Sequence, residues 1–149
     1  MCVLRSNIVG GLIGFGTFHG RFPAVPQLLV VRPFHAMNIF YGKSAGKADV
    51  PSDAPVAVSF DGALGVFRGL DPRSGFMGIS LGERFVLQLA HRKHGRVRIE
   101  LLDTSIPAFD ACDVELEFAE RLIRAAAEGH DVFQIASAGH YEWEHLDMA

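Results

Sequence analysis

The chain has 149 residues, a formal charge of −3 and two cysteines, a length that fits one domain with its own core and a cysteine count that excludes a disulfide framework. Its charge is unevenly placed: residues 1–36 carry Arg5, Arg21 and Arg32 and no acid, whereas the remainder sets seventeen Asp and Glu against eleven Lys and Arg, a net of −6. An acidic body excludes general affinity for nucleic acid, which rests on neutralising phosphates.

Residues 1–36 read as a leader outside the core. Ile8–Phe18 is apolar and follows Arg5 in the manner of a signal peptide, but four glycines interrupt it, no small-x-small cleavage site follows, and it is too short to span a bilayer. A mis-called start with Met37 as the true first residue, an organelle-targeting segment and a flexible extension all fit. The fold is expected in residues 37–149, as a single α+β domain.

Met37–Tyr41 is expected to be a short first strand and Gly42–Pro55, rich in Gly, Lys, Ser, Asp and Pro, a loop. Val56–Phe60 fits a strand or the start of a helix. Phe60, Ala63, Leu64, Phe67 and Leu70 then fall on one helical face, weakened by Gly62, Gly65 and Gly69, with an Asp61-Gly62 hairpin as the rival reading. Three alternating runs follow: Phe76–Leu81, Phe85–Ala90 and Val97–Leu101, with turns at Gly82-Glu83 and Arg92–Gly95. They predict an antiparallel meander over 75–103, inside a sheet of about four to five strands. Asp110 or Asp113 is expected to cap a long helix over 113–128. Leu116, Ala119, Ile123 and Ala126 form one apolar row of it, Phe118, Leu122 and Ala125 the next, and Gly129 the stop. Glu117–Arg121 and Glu120–Arg124 stand at the stabilising i, i+4 spacing. Val132–Ile135 reads as a last strand and Gly139–Ala149 as an aromatic, acidic tail.

No reaction is spelled out by a motif. Gly42-Lys43-Ser44 resembles the end of a phosphate-binding loop but lacks the glycine five residues earlier, where Met37 stands. His91 with His94, and His140 with His145, are pairs without the third and fourth ligands that a zinc site needs. Cys112 is flanked by Asp110 and Asp113, which disfavour a thiolate, and no serine sits in a glycine-flanked elbow. No catalytic residue, metal or cofactor is therefore assigned. Arg84, Arg92, Lys93, Arg96 and Arg98 concentrate positive charge on one hairpin, without the aromatic interleaving of a base-stacking platform. The acids Asp110, Asp113, Glu117 and Glu120, together with Tyr141, Glu142, Trp143 and Glu144, form the candidate partner-binding set. The plain alternatives are complementation of the helix dipole for the first group and a terminal strand that packs Tyr141 and Trp143 on the sheet for the second.

The order of leading strand, helix, meander 75–103, helix 113–128 and short strand before Tyr141–Glu144 resembles small bacterial immunity proteins that neutralise polymorphic toxins delivered between competing cells. The resemblance covers roughly 55–146. It implies a non-enzymatic cytoplasmic protein that blocks a cognate toxin, and it carries no site residue over. A small protein-binding or inhibitory module with a basic protein partner, binding neither nucleic acid nor membrane, is the leading expectation. A structural or accessory domain and a small enzyme with a fold-assembled site are the alternatives, and the oligomeric state stays open.

Overall fold

The computed structural model describes residues 34–148, so most of the 1–36 leader expectation lies outside the described residues. Among the described residues, seven strands form one antiparallel sheet: β1 (Met37–Gly42), β2 (Val56–Val58), β3 (Phe76–Leu81), β4 (Phe85–His91), β5 (Arg96–Asp103), β6 (Ala108–Glu115) and β7 (Glu144–Asp147). Their order across the sheet is β2-β1-β3-β4-β5-β6-β7. Three α-helices among the described residues accompany them: α1 (Phe60–Arg68), α2 (Leu116–Ala127) and α3 (Val132–Ala138). The α+β class and the meander are as expected, but the sheet has seven strands rather than four to five.

The register explains the core. Ile39, Ile79, Leu87 and Leu101 lie opposite one another across four strands, as do Tyr41, Met77, Leu89, Ile99 and Cys112 across five. Side chains alternate between faces along a strand, so these rows share one face. Phe60, Ala63, Val66 and Phe67 of α1, Phe118, Ala119, Leu122 and Ile123 of α2, and Val132 and Ala136 of α3 belong to the same buried cluster. All three helices therefore cover one face. The opposite face, with Gln88, Ala90, Arg98, Glu100, Asp113 and Glu144, has no helix over it among the described residues. There Phe40 lies over Gly78, where a Cβ atom would come within 2.0 Å of its ring, so the absence of a side chain is what lets the aromatic close over the backbone.

Ser59 caps α1 by accepting the Gly62 amide at 3.1 Å, which settles the helix over the Asp61-Gly62 hairpin. The loop before it is tied down at two points. Ser44 Oγ donates to the Val66 carbonyl at 3.0 Å and Ala45 N to the Gly69 carbonyl at 2.7 Å, so Gly42-Lys43-Ser44 serves to dock the end of α1. Gly129, at φ +72, ends α2 in the left-handed region with His130 N donating to the Ala125 carbonyl, as the glycine there predicted.

Four expectations are corrected. Residues 108–115 form a strand, and α2 starts at Leu116, not at 113: Cys112 and Val114 point inward while Asp113 and Glu115 point outward, a period of two that pairs the whole segment with β5. Asp110 and Asp113 are thus strand residues, and the position before α2 is Glu115, which makes no side-chain cap. Leu116 is 41 % exposed, outside the buried stripe expected of it. Val132–Ala138 is a helix, not a strand, because Asp131 caps it by accepting the Gln134 amide at 3.1 Å and Val132 and Ala136 bury one helical face. Finally, Glu117–Arg121 and Glu120–Arg124 form no ion pair among the described residues: Glu120 engages Arg68 of α1, Arg124 lies over the Phe60 ring of α1, and Arg121 lies over the ring of Phe118, one turn back on α2 itself. For Glu120 and Arg124, tertiary partners outcompete helix neighbours worth about a few tenths of a kcal/mol each.

Phe34 and His35 extend the ordered fold three residues ahead of Met37. Phe34 stacks on Phe60 with centroids 4.9 Å apart, and His35 N donates to the Ala127 carbonyl at 2.7 Å. No helix among the described residues is long and apolar enough to cross a membrane.

Candidate functional site

The helix-free face carries its charge at β5, β6 and the segment leading into β7. Register sets the pairs: Arg96 lies opposite Glu115, Arg98 opposite Asp113, and Ala111 between Glu100 and Glu144. Arg98 is the hub. Its guanidinium reaches Glu144 at 3.1 Å, Asp113 at 3.6 Å and Glu100 at 3.7 Å, and its side chain is only 16 % exposed. Partial burial strengthens such contacts relative to open solvent and requires that the cation be matched. Next to it, Arg96 donates to Glu115 at 2.6 Å and to the Asp113 carbonyl at 2.5 Å. The Tyr141 hydroxyl donates to the other oxygen of Glu115, while its ring tilts against Phe118 of α2 with centroids 4.7 Å apart.

Around these groups lies a cavity of about 500 Å³, to which His140, Glu142 and the Cys112 backbone strand also contribute. Glu142 makes no ion pair among the described residues, in contrast to the three acids around Arg98. Cys112 and Tyr141 are held protonated. Burial, reinforced by the Asp113 charge, pushes the Cys112 thiol up to about 11, and burial with the hydrogen bond to Glu115 pushes Tyr141 up to about 12. The same hydrogen bond from Tyr141, aided by Arg96, keeps Glu115 below the ordinary carboxylate range.

Four members of the expected binding set meet at this cavity: Asp113, Tyr141, Glu142 and Glu144. The other four lie elsewhere. Asp110 pairs with His145 at 2.7 Å on the opposite side of β6 and β7, and that hydrogen bond raises the His145 pKa. Glu117 and Glu120 are on α2, across the sheet, with Glu120 held by Arg68 through two hydrogen bonds of 2.8 and 3.1 Å. Trp143 packs half-buried against the core, its indole N–H buried and without a hydrogen-bond partner among the described residues. The acids of 110–120 and the tail therefore do not make one continuous surface. Arg96, Arg98, Glu115 and His140 were absent from the expected set. The outward placement of Arg96, Arg98 and Glu100 was legible as alternation along β5, but their partners were hidden because Asp113 and Glu115 were read as the start of a helix.

The histidine pairs do not converge on a metal. His91 Nε2 lies 3.0 Å from the Phe67 carbonyl with its ring stacked on Phe67, His94 sits in the turn over Lys93–Gly95, and His145 is taken by Asp110. Among the described residues, no group of three or more His, Cys, Asp or Glu side chains could hold a metal ion. No family model, curated protein or solved structure matches the chain.

Proposed function

We propose that the chain is a protein-binding, inhibitory module whose basic partner docks on the helix-free face of the sheet, at the charged cavity beside Arg98. The observation that supports this most is the network itself. Arg98 and three carboxylates are prearranged on a sheet face that no described helix covers, next to Glu142, which has no ion pair among the described residues, while Cys112 and Tyr141 at the same place are held protonated and so are poor nucleophiles. Preset charges without an activated group suit recognition. A net of −6 over residues 37–149 favours a basic partner by steering its approach. On the resemblance of the element order to toxin-immunity proteins, the partner is a toxin and binding is its neutralisation. Cys112, free among the described residues, agrees with a reducing compartment such as the cytoplasm.

The test is capture of the products of neighbouring genes by the full chain, followed by association kinetics with whatever is captured. Glu142→Lys is expected to slow association about tenfold at low salt, with the difference shrinking as salt rises. Trp143→Phe, which keeps the ring in the core, is expected to leave binding unchanged. Capture of no partner by a folded sample, or association indifferent to Glu142→Lys, overturns the reading.

A further inference from the structure

We infer that the turn end of the β4–β5 hairpin is a binding site for a compact polyphosphate anion. A cavity of about 690 Å³ opens there, within the size range of small-molecule sites. Four cations line it: Arg73 from the turn after α1, Arg92 and Lys93 from the hairpin turn, and Arg96 from the start of β5. They come from segments about twenty residues apart, and each segment is built rigidly. Asp71 Oδ1 accepts the amides of Arg73 and Ser74 at 2.9 Å each and the Ser74 hydroxyl at 3.1 Å, which holds the first turn. Arg92 N donates to the Arg96 carbonyl at 2.8 Å, and His94 occupies the left-handed region at φ 61, which holds the second.

Of the Lys and Arg side chains without an ion pair among the described residues, Lys43, Lys47, Arg121 and Arg124 stand away from this cavity, and three stand together on its wall. Arg68, Arg84 and Arg98 each face a carboxylate elsewhere. Arg73, Arg92 and Lys93 form no ion pair among the described residues, although the chain has more acids than cations. The single carboxylate on the cavity wall, Asp113, is engaged by Arg98, and Arg96 takes its carbonyl. Arg96 is held by Glu115 at 2.6 Å, and the three unpaired cations beside it, on preset turns, are what an oxyanion needs, because little ordering remains to be done on binding. The ligand is compact because the cations are confined: Glu115 and Glu144 border them on the adjoining cavity and would repel a polyanionic strand running on across the sheet. Phosphates in a short chain match the charge, the spread and the size of the cavity.

The experiment is calorimetric titration of the full chain with inorganic tripolyphosphate at low salt, repeated with adenosine triphosphate. Saturation at one site per chain is expected. Changing both Arg92→Gln and Lys93→Gln should weaken it on the order of tenfold or more without moving the melting temperature, and Arg121→Gln, an exposed cation of α2, should leave it unchanged. Tighter binding of the nucleotide supports the site with a base-contacting wall; equal binding supports recognition of phosphates alone. The inference is overturned if tripolyphosphate does not saturate, if the double variant binds as well as the parent, if Arg121→Gln weakens binding equally, or if a single-stranded oligonucleotide binds more tightly with affinity that grows with its length.

Discussion

Gly65 and Gly69, four residues apart at the end of α1, have opposite roles although each reads in the sequence only as a weakness of the helix. A Cβ atom at Gly69 would stand 2.9 Å from Ser44 Oγ, the hydroxyl that ties the β1–β2 loop to the helix, whereas at Gly65 it would meet nothing within 4 Å. Gly65→Ala is therefore expected to stabilise the protein by about 0.5–1 kcal/mol through helix propensity and the unfolded chain's lost freedom. Gly69→Ala should destabilise it by displacing Ser44. Denaturation midpoints of the two variants check this, and a loss at Gly65 equal to that at Gly69 would contradict the packing. The same contrast holds among the charges: an arginine's partner is not legible from its neighbours, since Arg98 and Glu144 are 46 positions apart.

At the scale of elements, the meander and the buried face of α2 were legible because their periods persist over six to twelve residues. Leu87 and Ile123 are both fully buried in the common cluster, so Leu87→Ala and Ile123→Ala should each cost about 2–5 kcal/mol, read from urea unfolding. A change below about 0.5 kcal/mol at both sites would mean that the helix does not cover this face. The segments that were not legible fail for a common reason. Asp110 and Asp113 serve equally well as helix caps and as outward positions of a strand, and only pairing with β5 along its whole length decides between them. Val132–Ile135 has the residue types of a strand, yet Asp131 supplies a cap and the adjacent core accepts one helical face. Tyr141, Glu142 and Glu144 lie together at the cavity for the converse reason: they are close in sequence, so any fold of the tail keeps them together.

At the scale of the molecule, several charged contacts give stability a definite dependence on pH. Asp103 is held well below the ordinary carboxylate range, first by its hydrogen bonds from Arg84 and then by Ser105. Glu115 is lowered by Tyr141, and Asp71 by the amide of Arg73. Each of these contributes stability that is present above its unfolded value, near about pH 4, and is lost as pH falls through the folded one. His145 is raised by Asp110, so its contribution is full below about pH 6.5 and is lost as pH rises through its folded value. Melting temperature is thus expected to be highest between about pH 4.5 and 6.5 and to fall on the acid side, with Asp103→Asn lowering the plateau and flattening that fall. An acid limb as steep in Asp103→Asn as in the parent would remove Asp103 from the account.

The strand order has a consequence for how the molecule comes into being. Every strand after the first lies beside one that precedes it in the chain, and the longest detours, through α1 and through α2 with α3, each bring the chain back to the current margin of the sheet. As the polypeptide leaves the ribosome, each new strand meets a template already made, and no early segment waits for a late one to complete its pairing. Helix α2 follows six strands in the chain and β7 closes the sequence of additions, so the order allows the sheet to grow during synthesis outward from β1, by β2 on one side and then strand by strand toward β7 on the other.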